Sequence, residues 1–115
     1  MRTATVEILG KQYRLAYSAK SQMAMEALKK TGFDIHQEPT RFFWTLLSEE
    51  LRAGYRLAQL RGETAEQPPK AEDLEDLMDP QDLGALVPIL QQVQAGDRNV
   101  EAKPPKKEAP EGSGD

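Results

Sequence analysis

The sequence has 115 residues, no cysteine and a net charge of −4 at neutral pH. We expect a single domain because a chain of this length builds one small core, and the absence of cysteine excludes disulfides and thiolate metal sites. The first ten residues lack the apolar segment of a signal peptide, and no stretch reaches the roughly 20 apolar residues of a membrane-spanning helix, so we expect a cytosolic protein.

The charge is distributed unevenly along the chain. Residues 1–62 carry ten Lys or Arg against six Asp or Glu, which gives +4, whereas residues 63–82 carry one against eight, which gives −7. An overall acidic balance disfavours tight duplex binding, because neutralisation of phosphates supplies most non-specific affinity. The acidic segment is suited to solvent or to a basic partner.

The first predicted element is a β-hairpin, because apolar residues alternate on both sides of a glycine turn. We expect a two-residue type II′ loop at Gly10-Lys11, or a loop one residue longer. The alternation lets four side chains share one apolar face: Val6, Ile8, Tyr13 and Leu15.

Helical spacing begins after the hairpin and predicts a first helix that ends at Gly32. Ser18 or Ser21 is expected to cap its start. Phe33 and Ile35 are expected to fold back onto the core. The predicted apolar stripe contains Met23, Ala24, Ala27 and Leu28, with Met25 beside it.

The longest predicted helix covers residues 40–61, with Thr40 as its cap. Its helically spaced apolar residues are too many for one narrow stripe, so the helix is expected to have more than one apolar face. Gly54 is tolerable where two helices pack closely. The regularly spaced residues are Phe43, Leu46, Leu47, Leu51, Tyr55 and Ala58, and the additional ones are Phe42, Trp44, Leu57 and Leu60.

The second half of the chain is predicted to contain a loop over 62–70, a short acidic helix over 71–78 and a last helix over 80–95 capped by Asp79. Residues 97–115 have too few apolar side chains to offset the entropy of ordering, so we expect a disordered tail. The predicted fold is therefore α+β and mostly helical: a hairpin and three to four helices in a domain of residues 1–96.

No residue pattern predicts catalysis, a metal site or a cofactor. His36 is the only histidine and has no nucleophile or second ligand at a useful spacing. The acids of residues 72–79 lack the order of a calcium loop, so a solvated helix face is the better interpretation. We therefore expect a protein that is not an enzyme.

Arginines interleaved with aromatic residues in the long helix suggest an alternative, a small regulatory nucleic-acid-binding protein. Helical spacing argues against it, because the aromatic residues fall where a core is needed. The same surplus of apolar residues favours a protein interface, since surplus apolar surface in a small domain usually marks one. The candidate contact residues are Phe42, Trp44, Leu57, Leu60, Leu86 and Leu90.

The order of these segments is similar to that of the tail assembly chaperones of long-tailed bacteriophages and gene transfer agents. The resemblance covers about residues 4–95 and rests on the hairpin VEILGKQYRLAYS, the helix end LKKTG, the aromatic helix start RFFWTLLSEEL and the acidic LEDLMD. The connection between the middle and acidic helices is longer than the family pattern.

The resemblance implies a non-enzymatic protein of the infected bacterial cytoplasm that binds the tape measure protein and keeps it soluble during assembly of the tail tube. It also implies absence from the mature virion, and association with a frameshifted longer form of itself or with identical copies. A structural minor tail component is the further alternative.

Overall fold

The computed structural model describes residues 1–96, in which a two-stranded sheet precedes four helices, as predicted for an α+β, mostly helical fold. The predicted tail of residues 97–115 lies outside the described residues. The elements are β1 Thr3–Ile8, β2 Lys11–Ala16, α1 Ala19–Lys29, α2 Pro39–Leu60, α3 Ala71–Leu77 and α4 Pro80–Ala95.

The hairpin turn lies one residue earlier than the sequence predicts. Ile8 pairs with Lys11, so the loop is Leu9-Gly10, and both loop residues have positive φ, 53° and 82°. This is the requirement of a type I′ turn, whose twist matches that of the strands. The predicted and observed registers differ by an even step, so the same side chains remain on the buried face: Val6, Ile8, Tyr13 and Leu15.

Helix α1 starts as predicted but buries a different face. The Ser18 hydroxyl accepts a hydrogen bond from the Ser21 backbone N–H, and the Ser21 hydroxyl accepts one from the Ser18 N–H. The predicted stripe is wrong at Met23 and Ala27, which are exposed, and right at Ala24 and Leu28, while Ser21 and Met25 are buried. Because Ser21 packs inward, the helix is rotated so that the inner face consists of Ser21, Ala24, Met25 and Leu28.

Helix α2 is the centre of the fold and packs against β2, α4, α1 and α3. Its start differs from the prediction: Pro39 is the first helical residue, and no side chain caps it, so Thr40 lies inside the first turn. Leu46, Leu47 and Leu51 are buried in the core.

Gly54 lies where α2 closely approaches the sheet, rather than between two helices as predicted. A Cβ atom at this position would lie 2.0 Å from the Arg14 carbonyl oxygen of β2. Only glycine allows this spacing, because any other residue would have a Cβ atom that clashes with β2. Gly54 therefore sets how closely α2 approaches the hairpin.

The last two helices follow the prediction closely. The Asp79 carboxylate accepts a hydrogen bond from the Asp82 N–H, and Pro80 occupies the first turn of α4. The connection over 62–70 contains no helix or strand. It is attached to the hairpin by charge, since the Arg14 guanidinium donates to Glu63 and the Lys11 ammonium lies 3.4 Å from Glu66.

The segment after α1 is more exposed than predicted. Phe33 is half-buried and stacks on Phe42, with ring centroids 6.1 Å apart, but Ile35 is exposed and does not join the core. The Asp34 side chain accepts a hydrogen bond from the His36 backbone N–H, which forms a local turn. This turn directs the chain along the surface towards α2.

Candidate partner-binding face

A concave surface lies where the start of α2 meets the junction of α3 and α4. We call it the junction groove; its volume is about 660 Å³. Trp44 is half-buried on one wall, and Met78 and Leu83 are buried and form apolar surface below it. The groove is lined by Gln37, Glu38, Pro39, Thr40, Arg41, Trp44, Thr45, Glu75, Met78, Pro80 and Leu83.

A second, smaller groove of about 320 Å³ adjoins the first through Met78, which lines both. We call it the hairpin groove, because its far wall is the hairpin turn. Leu9 lies there with 62% of its surface exposed, opposite the half-buried Leu86 of α4. It is lined by Glu7, Ile8, Leu9, Met78, Asp82, Ala85 and Leu86. The two grooves together form what we call the apolar face.

Leu9 is an unusual residue for its position. Its φ of 53° is in the left-handed region, where a residue with a Cβ atom costs about 1–2 kcal/mol and where asparagine or glycine is preferred. Its side chain gains little from burial. Burial of the side chain therefore does not offset the backbone strain, and strained positions of this kind concentrate at binding sites.

Carboxylates line both grooves and continue along α3 and the start of α4. Six lie on α3, at its junction with α4 and in the first turn of α4, and none has a Lys or Arg within ion-pair distance in residues 1–96. The single groove-lining arginine, Arg41, lies 3.7 Å from Glu38. The six carboxylates are Glu72, Asp73, Glu75, Asp76, Asp79 and Asp82.

The structure separates the six residues that the sequence nominates as contacts. Trp44 lines the junction groove and Leu86 the hairpin groove. Leu90 is wrong as a surface candidate, because it is 0% exposed and belongs to the core between α4 and α2.

The other three candidates lie apart from the grooves. Phe42 packs between Phe33 and Phe43, whose ring centroid lies 5.1 Å away at 88°. Leu57 is half-buried, and Leu60 is 68% exposed at the end of α2, about 24 Å along the helix from Trp44.

Leu9 and Met78 line the grooves but are not among the contact residues that the sequence predicts. The predicted loop at Gly10-Lys11 leaves Leu9 outside the turn, whereas in the structure Leu9 is the first loop residue. The predicted acidic helix includes Met78 but gives it no contact role. Its position at both grooves follows from the packing of α3 against α2 and of α4 against the hairpin, which no local pattern encodes.

Glu50 is a charged residue type inside the core of α2. It is 0% exposed, and neither carboxylate oxygen has a hydrogen-bond partner among the described residues. Burial raises its pKa from 4.5 to about 9, so the side chain is a neutral acid at pH 7. Burial also raises the pKa of the Tyr17 phenol.

The arginines of α2 do not form a continuous cationic surface. Arg41 and Arg52 lie within ion-pair distance of Glu38 and Glu49, and the Arg56 guanidinium donates to the Gln59 side chain. Within the described residues, no cluster of His, Asp or Glu has metal-binding geometry, and no helix is long and apolar enough to cross a membrane.

Comparisons with models of protein families, with curated proteins and with solved structures find no match to this chain. The resemblance to tail assembly chaperones therefore stays a prediction based on the order of the sequence segments.

Proposed function

We propose that the protein is a tail assembly chaperone of a long-tailed phage. It binds the tape measure protein in the host cytoplasm and keeps that long helical protein soluble until the tail tube polymerises around it. The observation that supports the proposal most is the apolar face, two adjoining grooves that expose Leu9, Trp44 and Leu86 on a domain of only about 96 described residues.

The construction of this face suits a chaperone. Its grooves are open and shallow, so a client segment is held by many weak contacts and is released when the tube provides better ones. Carboxylates around the grooves keep the exposed apolar surface soluble. The strained Leu9 favours the same interpretation, because selection for stability alone would place asparagine there.

Co-expression with the tape measure protein encoded beside it tests the proposal. We expect the soluble fraction of the tape measure protein to rise and the two proteins to co-purify. Leu9→Asn should weaken both effects while leaving the chaperone folded, because asparagine fits the turn and removes the exposed side chain. Met23→Gln is the matched control, since Met23 is equally exposed but lies on α1.

Two outcomes would contradict this assignment. If the soluble yield of the tape measure protein is unchanged and nothing co-purifies, the protein is not its chaperone. If Leu60→Asn abolishes binding and Leu9→Asn does not, the client is bound at the end of α2. Mass spectrometry of purified particles should find the tape measure protein and not this chain, because a chaperone leaves before the virion matures.

A further inference from the structure

We infer that the apolar face takes one kind of client segment, an amphipathic helix whose apolar side is flanked by Lys or Arg. The inference rests on the proposed chaperone function and names the chemistry of the partner. It follows from two independent properties of the face, its shape and its charge.

The shape of the two grooves favours a partner helix that carries a row of apolar side chains, which we call its ridge. Met78 lines both grooves, whose volumes of about 660 and 320 Å³ each have room for leucine-sized side chains. Trp44 lines one groove, and Leu9 and Leu86 line the other. Leucine-sized side chains spaced three or four residues apart on a helix can enter such a groove in succession.

The charge selects basic flanks. Glu75 lines the junction groove, and Glu7 and Asp82 line the hairpin groove, whereas the only cation of either lining, Arg41, is close to Glu38. Residues 63–82 carry a net charge of −7, and six of their acids have no cation within ion-pair distance in residues 1–96. Opposite charges at an interface rim accelerate association and exclude partners of the wrong sign. A helix with acidic flanks would be repelled.

Trp44 allows a direct test, because it is the only tryptophan in the chain and lines the junction groove. Its fluorescence is to be titrated in the full chain with three capped helical peptides that lack Trp and Tyr. All three carry the same leucine ridge, and their flanking residues are Lys, Gln or Glu. We expect the Lys peptide to bind about tenfold more tightly than the Glu peptide, with the Gln peptide between them, and the difference to shrink at 0.5 M salt.

The charge variant has a matched control. Glu75→Gln removes a groove carboxylate and should reduce the preference for the Lys peptide over the Glu peptide by about threefold. Glu26→Gln removes an exposed glutamate from α1, away from both grooves, and should leave the preference unchanged. A fourth peptide, in which serine replaces the leucines between Lys flanks, should not saturate the Trp44 signal.

Several results would overturn the inference. Equal affinities for the Lys and Glu peptides would show that the face does not select its partner by charge. Tight binding of the serine peptide would show that an apolar ridge is not required. Tighter binding of a peptide with the sequence of residues 97–115 would assign the grooves to the chain's own end. A Trp44 signal that changes with protein concentration alone would assign them to a second copy.

The inference and the proposed function fail separately. If the Lys peptide binds as expected but the tape measure protein does not, the face takes basic amphipathic helices of another client. If the tape measure protein binds and Glu75→Gln and Leu9→Asn leave its affinity unchanged, the chaperone function stands and the inference about this face is wrong.

Discussion

Glu50 should make the stability of this domain fall as the pH rises. Its pKa is about 9 in the folded state and 4.5 ordinarily, so the folded protein retains a proton that the unfolded chain releases. The neutral Glu50 side chain therefore makes its full contribution to the free energy of unfolding below pH 4.5, and this contribution is lost progressively as the pH rises to 9. Within that window the free energy of unfolding decreases by about 1.4 kcal/mol for each pH unit.

The magnitude is large for a small domain. The accumulated loss is about 3 kcal/mol at pH 7 and about 6 kcal/mol at pH 9, against a total stability of about 5–15 kcal/mol for typical domains. Glu50→Met fills a similar volume, has no ionisable group and leaves no buried oxygen without a partner. We expect it to raise the free energy of unfolding at pH 7 by at least about 3 kcal/mol.

Urea denaturation at pH 5, 6, 7 and 8, followed by circular dichroism and Trp44 fluorescence, measures this effect. The difference between the Glu50→Met variant and the wild type should grow by about 1.4 kcal/mol per pH unit. Glu49→Gln is the control, because Glu49 is accessible and pairs with Arg52 at 3.1 Å. It should keep the wild-type pH slope and change stability by less than about 1 kcal/mol.

The opposite behaviour would refute this reasoning. Parallel pH profiles for the wild type and Glu50→Met would mean that Glu50 is ionised in the folded protein. A loss of stability in Glu50→Met at pH 7 would mean that its carboxyl group makes a stabilising interaction.

Three further predictions concern single positions. Gly54→Ala should destabilise the fold by about 2 kcal/mol or more, despite the higher helix propensity of alanine, because the new Cβ atom would clash with the Arg14 carbonyl. Leu9→Asn should stabilise the fold by about 1 kcal/mol, because asparagine tolerates the positive φ of this turn position. Ser18→Ala should destabilise it by about 1 kcal/mol, because it removes the hydroxyl that caps α1.

The same urea titrations at pH 7 measure all three variants. Gly84→Ala is the control for Gly54, since no atom lies within 4 Å of a Cβ atom built at residue 84, and it should be neutral or stabilising. If Gly54→Ala is as stable as the wild type, α2 lies farther from the hairpin than the structure shows. An unstable Leu9→Asn variant would show that the leucine side chain contributes more than the turn strain costs. If Ser18→Ala leaves the free energy of unfolding unchanged, Ser21 and not Ser18 is the residue that caps α1.

Much of the fold follows from local patterns in the sequence. The alternation of apolar residues around Gly10 predicts the hairpin and its buried side. A shift of register by two residues keeps every side chain on the same face, so the error in the turn position does not change this prediction. Asp79-Pro80 predicts the start of α4, because a capping carboxylate and a proline act on their own first turn. These features depend on neighbours within a few residues, so the sequence alone determined them.

The tertiary structure decided which surfaces remain exposed. Spacing puts Met23 in the predicted apolar stripe of α1 and Met25 beside it, whereas in the folded protein Met23 is exposed and Met25 is buried. Likewise Leu90 and Leu86 share one helix, yet Leu90 contributes to the core and Leu86 to a groove. Glu50 reads as a polar position, but the elements around α2 cover it. Exposure depends on contacts between residues far apart in the chain, and for that reason no local pattern contains it.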